Sequence, residues 1–211
     1  MSTALEQLRQ FWDQRYVAPG FAYGTEPNHF LMAQVQHMPA GGRVLCLADG
    51  EGRNGVWLAG QGFDVTSVDV SPKGVDKARR LAAQSGVALC ALVADVTRLD
   101  LGLAHWDAIV SIFLHLPARA RTDLHRRVVQ ALKPGGVFLW EAYGPEQLKL
   151  VTGGPRDAAL LPALDEVRLD FSGCLQVHAW SGLRSVQERS LHTGQGAVTQ
   201  LVVRKTAKTP A

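Results

Sequence analysis

The chain has 211 residues, 46% of them hydrophobic and 19% charged, with a formal net charge of +3. This composition suits one α/β domain with an ample core and excludes a disordered polyelectrolyte. The basic residues are scattered and no apolar stretch approaches a membrane span, so neither a nucleic-acid nor a membrane partner is expected.

The first segment places Leu5, Leu8, Trp12 and Tyr16 at helical spacing, which predicts an amphipathic helix ending near Pro19-Gly20. Its charged residues Glu6, Arg9 and Asp13 are unlike a secretory signal, and a cytoplasmic location is expected. Thr25 is a candidate cap for a second helix carrying Phe30, Leu31 and Val35. The apolar run Val44 to Ala48 then feeds the turn Gly50-Glu51-Gly52, a helix through Trp57 and Leu58, and a second strand, Val65 to Val68, that ends in Asp69. Ser71-Pro72 is a good N-cap and first-turn pair for a helix carrying Val75, Ala78 and Leu81.

Three more apolar runs follow, Ala88 to Val93, Ala108 to Phe113 and Val137 to Trp140. A helix with Leu124, Val128 and Leu132 on one face separates the last two, and Lys133 to Gly136 breaks it. Strands alternating with helices predict a parallel sheet covered on both faces. The last third reads as a mobile Gly153-Gly154-Pro155 loop, a short helix with Leu164, Val167 and Phe171, and a long edge hairpin from Leu175 to Val203. The tail from Arg204 to Lys208 reads as a solvated terminus. Cys46, Cys90 and Cys174 fit neither a disulfide framework nor a zinc site, and the first two read as buried thiols. No metal site is indicated by the histidine spacing, and Trp57, Trp140 and Trp180 read as core residues.

The glycine turn is the most informative segment. Glycines permit positive φ and close approach of a ligand to the backbone, and the following helix start presents free N–H groups. Asp69, at the tip of the second strand, is placed to accept both hydroxyls of a ribose. Gly50, Gly52 and Gly55 spell G-x-G-x-x-G, which also suits a nicotinamide-dependent oxidoreductase. Three further segments argue for another family: Ala94-Asp95-Val96, Trp106 to Ser111, and Leu132 to Gly136.

From Arg43 to Trp140 the chain resembles the class I S-adenosylmethionine (SAM) methyltransferases. It is most similar to the tellurite-resistance and thiopurine methyltransferase-like group, on Trp12 to Tyr16, Tyr23 to Asn28, Gly50 to Asn54 and Leu191 to Gly194. The resemblance implies a Rossmann-like α/β fold. Its sheet would be seven-stranded and mixed, of order 3-2-1-4-5-7-6 with strand 7 antiparallel, and helices would cover both faces. It implies a single domain over residues 1–211: a helical lid at 1–40, a SAM-binding core at 41–144, and a helix and hairpin at 145–211. It also implies that the cofactor is SAM, leaving S-adenosylhomocysteine as product.

By position, Ala48, Asp49, Gly50, Glu51 and Gly52, with Asn54 close by, would wrap the methionine part of SAM. Asp69 would bind ribose, with Val70 beside the adenine. Ala94, Asp95 and Val96 would meet the adenine from its other side. Ser111, Ile112 and Phe113 would border the sulfonium, and Tyr16, with Trp12 and Tyr23, would lie on the lid. One departure stands out. Cys46 occupies a position that is usually acidic in the family, while Asp49 stands where cysteine or glycine is common, so Asp49 is expected to take over part of the acid's work.

His115, His192 and Glu141 are candidate catalytic groups on the acceptor side, with Tyr143 beside Glu141. Glu141 suits a base or an orienting acid, and Arg53 could attract an anion. Methyl transfer from a sulfonium depends strongly on orientation, and a thiolate or oxyanion acceptor needs no strong base. The expected partner is a small-molecule methyl acceptor, either a selenium or tellurium oxyanion or a thiol, and the expected state is a monomer or weak homodimer. Two alternatives stand beside this reading: a SAM-binding protein that transfers weakly or not at all, and the oxidoreductase.

Overall fold

In the computed structural model, residues 3–188 and 192–206 are described, without the side chains of Gln187, Glu188 and His192. Thr3 opens helix α1 (Ala4–Arg15) with a capping box, its hydroxyl accepting from Glu6 N–H while the Glu6 carboxylate accepts from Thr3 N–H. The helix ends at Tyr16, before the Pro19-Gly20 break. Helix α2 (His29–Gln34) starts later than Thr25, because the Asn28 side chain accepts from Leu31 N–H and caps it. A 3₁₀ turn, Val35–His37, leads on toward the sheet.

The core alternates as the apolar runs predict. It comprises β1 (Arg43–Leu47), α3 (Arg53–Gly60), β2 (Asp64–Asp69), α4 (Pro72–Gln84), β3 (Cys90–Val93), β4 (Trp106–Ile112), α5 (Ala118–Ala131) and β5 (Leu132–Tyr143). Ser71 caps α4 by accepting from Gly74 N–H. Helix α6 (Leu164–Asp170) and the long strands β6 (Cys174–Glu188) and β7 (His192–Lys205) complete the domain.

The seven strands run in the order β3-β2-β1-β4-β5-β7-β6. Strands β1 to β5 pair in parallel, and β7 is antiparallel to both β5 and β6. The central strands β1, β4 and β5 are apolar on both faces because both are covered. Leu45, Ile109, Phe138 and Trp140 pack beneath Leu124 and Val128 of α5 and Val167 of α6. Val44, Cys46, Val110 and Leu139 pack on the other face with Phe30 and Leu31 of α2 and Leu58 of α3. Strand order reverses between β1 and β4, which opens a crevice at the carboxyl ends of the strands.

Several expectations need correction. Cys90 is exposed, because β3 is a short edge strand. Trp180 is also exposed, on the opposite edge strand β6. Arg204 and Lys205 belong to β7, and Arg204 donates to the carbonyls of Gly135 and His37. The Gly153-Gly154 loop packs against the ring of Tyr143, so closely that a Cβ at Gly154 would lie 2.6 Å from it. The edge hairpin is longer than its apolar runs, since the alternating residues after Ser181 also pair with β7.

Candidate active site

The loop after β1 is curled by three left-handed residues, Ala48 (φ 51°), Gly50 (φ 60°) and Gly52 (φ 87°). Glycine is required at Gly52, where a Cβ would stand 2.5 Å from the Ala78 side chain on α4. At Gly50 a Cβ would lie 2.6 Å from the Tyr16 hydroxyl. Ala48 holds the same region of φ at the cost of its own Cβ, a strained feature of the kind that collects at functional sites.

Three acids surround this turn, each engaged differently. Asp69 is buried at the end of β2 and accepts 2.9 Å bonds from Gly50 N–H and Ser71 N–H, one on each oxygen. A carboxylate offers about four acceptor directions, so capacity remains for a ribose diol. Burial pushes its pKa up to about 6, against the opposing pull of backbone N–H donors. Asp49 points under the turn: one oxygen accepts from Gly55 N–H at 3.1 Å and from the Ser67 hydroxyl at 2.8 Å. Burial pushes Asp49 up to about 7, and a Cβ at Gly55 would meet its carboxylate at 2.6 Å. The third glycine of G-x-G-x-x-G therefore accommodates Asp49. Beside it, Cys46 is fully buried, and burial first, then Asp49, keep its thiol protonated. Glu51 turns outward to the N-terminal segment, accepting from Lys77 Nζ and from Ala22 N–H, each at 2.6 Å.

That segment is packed onto the turn. Tyr16 is buried against Gly50 and Gly74, and its hydroxyl is held well above its usual pKa by burial and then by Asp69. Trp12 stacks on it with ring centroids 5.7 Å apart. The Asp13 carboxylate accepts from the Ser71 hydroxyl and, at 3.2 Å, from Lys73 N–H at the start of α4. Asn54, in the first turn of α3, accepts from Asn28 N–H at 2.9 Å and so fixes the approach to α2.

At the far side of the crevice, Ala94 N–H donates to Asp69 C=O and Asp95 forms a local turn with Thr97. Val96 is buried, and its carbonyl, with those of Thr97 and Leu99, accepts from Arg127. Val70 is half-buried between Asp69 and Ser71. Ser111 and Ile112 are buried at the end of β4, and Phe113 follows with φ 56°. The turn, Asp69, Asp95 and Ser111 to Phe113 thus all stand at carboxyl ends of β1 to β4, on the crevice where open α/β sheets bind ligands.

The acceptor-side candidates are arranged otherwise. Glu141 is completely buried in β5. Its Oε1 accepts from Asn28 Nδ2 at 2.8 Å and Arg184 Nη2 at 2.5 Å, and its Oε2 from Arg184 Nε at 2.9 Å and Gln200 Nε2 at 2.6 Å. All of its ordinary acceptor capacity is occupied. His115 accepts from Tyr143 N–H through Nε2 at 3.2 Å, which places the proton of the neutral ring on Nδ1. It does not cap α5, whose N-cap is Pro117. Its ring stacks on Tyr143 at 5.8 Å, and Phe113 lies 4.7 Å from Tyr143, so three aromatic rings wall this end of β4 and β5. His192 opens β7, and its side chain lies outside the described residues. Arg53 donates to Glu26 C=O from a largely buried position.

Sequence reading missed Asn28, Arg184 and Gln200, whose meeting on Glu141 joins four segments distant in the chain. It also missed Lys77 and Ser67. Lys77 lies among other polar residues of α4, and no local pattern marks it as buried.

Residues 44–136 match the family model of the methyltransferase domain. Over 151 residues the chain is 31% identical to the ribosomal protein L11 methyltransferase of Symbiobacterium thermophilum, covering 69% of this chain and 48% of that protein. The chain therefore spans about half the length of this curated relative. TehB from Haemophilus influenzae superposes with a TM-score of 0.70 at 15% identity, over 94% of this chain and 67% of that one. The [4+2]-cyclase SpnF gives 0.72 at 16% identity, over 97% of each chain. At such identities the two structures show a shared fold. The strand order and the match over residues 44–136 are those of a Rossmann-like methyltransferase domain, a likeness that implies S-adenosyl-L-methionine as cofactor. The antiparallel β7 also separates it from the all-parallel dinucleotide-binding order that G-x-G-x-x-G alone allows.

Proposed function

We propose that this protein transfers the methyl group of SAM to a small acceptor whose nucleophilic atom is already soft or ionised: a thiol, or a selenium or tellurium oxyanion. The observation that carries this reading is the saturation of Glu141. An arginine and two amides already fill the acceptor directions of its two oxygens, which leaves none to take up an acceptor's proton and supports a site that orients its acceptor rather than deprotonating it. His115 points the same way, since its Nε2 is already engaged by Tyr143 N–H.

Bound SAM would supply an activated methyl carbon on a sulfonium. The glycine turn would hold its methionine end, Asp69 its ribose, and Val70 with Ala94, Asp95 and Val96 its adenine. Ser111 to Phe113 would border the sulfonium, and the aromatic wall of Phe113, His115 and Tyr143 would exclude water and favour a dispersed positive charge. The N-terminal segment, with Tyr16 over Gly50, serves as the lid. Labelled SAM offered with thiols, selenite, tellurite, phenols and amines tests the proposal. Label should appear on the thiol or chalcogen acceptors, and transfer confined to amines or neutral hydroxyls would refute it.

A second reading is favoured by Cys46 and Asp49. The thiol replaces the expected strand acid, and the Asp49 carboxylate is turned toward Gly55 and Ser67, where it supports the turn from beneath. On this reading the protein binds SAM with little transfer. It predicts S-adenosylhomocysteine binding in calorimetry and no labelled product from any member of the panel.

A further inference from the structure

Lys77 is a buried cation that no part of the methyl-transfer reading uses. Its side chain is 5% exposed, and that of its partner Glu51 is 4% exposed. The ammonium donates to three acceptors: Glu51 Oε1 at 2.6 Å, Ala18 C=O at 2.7 Å and Gly20 C=O at 2.5 Å. All three ammonium protons are thereby assigned. The other Glu51 oxygen accepts from Ala22 N–H, and the Phe21 ring lies 5.8 Å from the Lys77 nitrogen. Residues 18–22 are thus strapped to one ion pair by two carbonyls and one N–H.

The ends of this strap matter. On one side Asp13 and Tyr16 rest on Ser71, Lys73, Gly50 and Gly74; on the other, Arg15 Nη1 reaches Tyr23 at 3.4 Å. Glu51 itself belongs to the cofactor turn, between two left-handed glycines. Opening the strap would strip Lys77 of two acceptors and Glu51 of one donor, leaving a buried pair partly unsatisfied. A strap opening and a change in the turn are therefore one event.

We propose that Lys77 is a positioning residue that couples the 18–22 strap to the glycine turn through Glu51 and so sets the rate at which cofactor enters and product leaves. The proposal rests on the SAM-cradle reading of the turn. Lys77 touches no reacting atom. It acts through Glu51 and the strap, with its expected mark on cofactor release rather than on the transfer step.

Lys77→Met keeps the length of the side chain and removes its charge and donors; Glu51→Gln keeps the size and the acceptor for Ala22. Hydrogen exchange of the peptide spanning residues 16–24 and the dissociation rate of S-adenosylhomocysteine should both rise about tenfold or more in either variant, equivalent to ~1.4 kcal/mol. In the double variant the effects should fall short of additive. Strap exchange unchanged in Glu51→Gln would overturn the coupling even if Lys77→Met fails to fold. Faster strap exchange with an unaltered product release rate would overturn its role in release. If the unsubstituted protein binds no S-adenosylhomocysteine, the cradle reading falls, while strap exchange still reports on the latch.

Discussion

The two halves of the crevice handle their carboxylates in opposite ways. On the side of the glycine turn, Asp49 and Asp69 accept from backbone N–H groups and one hydroxyl, and burial raises both pKa values. On the acceptor side Glu141 is closed into a knot by Arg184, Asn28 and Gln200. The first half retains electrostatic capacity for a cationic ligand. The second has spent its capacity on holding β5, β6, β7 and the N-terminal segment together. The difference teaches that an acid at the end of a strand is not a catalyst by position: what its oxygens already accept decides its chemistry.

The sharpest way to break this contrast is Glu141→Ala. It leaves the partly buried Arg184 without its carboxylate and opens a hole at a completely buried position, which should destabilise the fold by about 3 kcal/mol in urea unfolding. Glu141→Gln should cost less. A variant with full stability and lost turnover would instead restore Glu141 as a base.

On the β1–β2 side, Asp69→Ala removes the proposed ribose acid together with the acceptor for Gly50 N–H and Ser71 N–H. Hydrogen bonds to charged groups are each worth about 1.5–3 kcal/mol, so S-adenosylhomocysteine should bind roughly 100-fold more weakly by calorimetry. An affinity within a factor of three of the original would remove Asp69 from the site.

Asp49 sharpens the comparison through pH. Its folded pKa, about 7, lies above its ordinary 3.8, so the folded chain holds more protons between these values. Stability from this group is therefore highest below pH 4 and is lost as pH rises to about 7. Asp49→Asn should stabilise most above pH 7, on the order of 2 kcal/mol, and progressively less toward pH 4. Melting curves from pH 4 to 9 measure this, and a gain independent of pH would show that Asp49 does not titrate as described.

The smallest expected effect is Asp13→Ala. Asp13 meets the start of α4 through Ser71 and Lys73, an interaction worth about 0.3–1 kcal/mol at a helix N-terminus. A melting temperature lowered by a few degrees would fit, with the sheet unchanged in circular dichroism.

Local chemistry determined a good deal. Alternating apolar runs, Ser71-Pro72 and the Lys133 to Gly136 break announce parallel strands and their helices, because periodicity and capping are short-range effects. The left-handed turn at Gly50 and Gly52 is likewise written in residues that tolerate positive φ. The likeness of whole motifs supplied the strand order, which periodicity could not. Only the tertiary structure decided what the acids touch. Asp49 faces Gly55 and Ser67, Glu51 faces Lys77 and the strap, and Glu141 faces Arg184, each through partners remote in the chain. Cys90 and Trp180 ended exposed for a related reason: an apolar strand does not state whether it will be central or an edge. Sequence fixes which groups are available, whereas packing decides which of them have been left with chemistry to do.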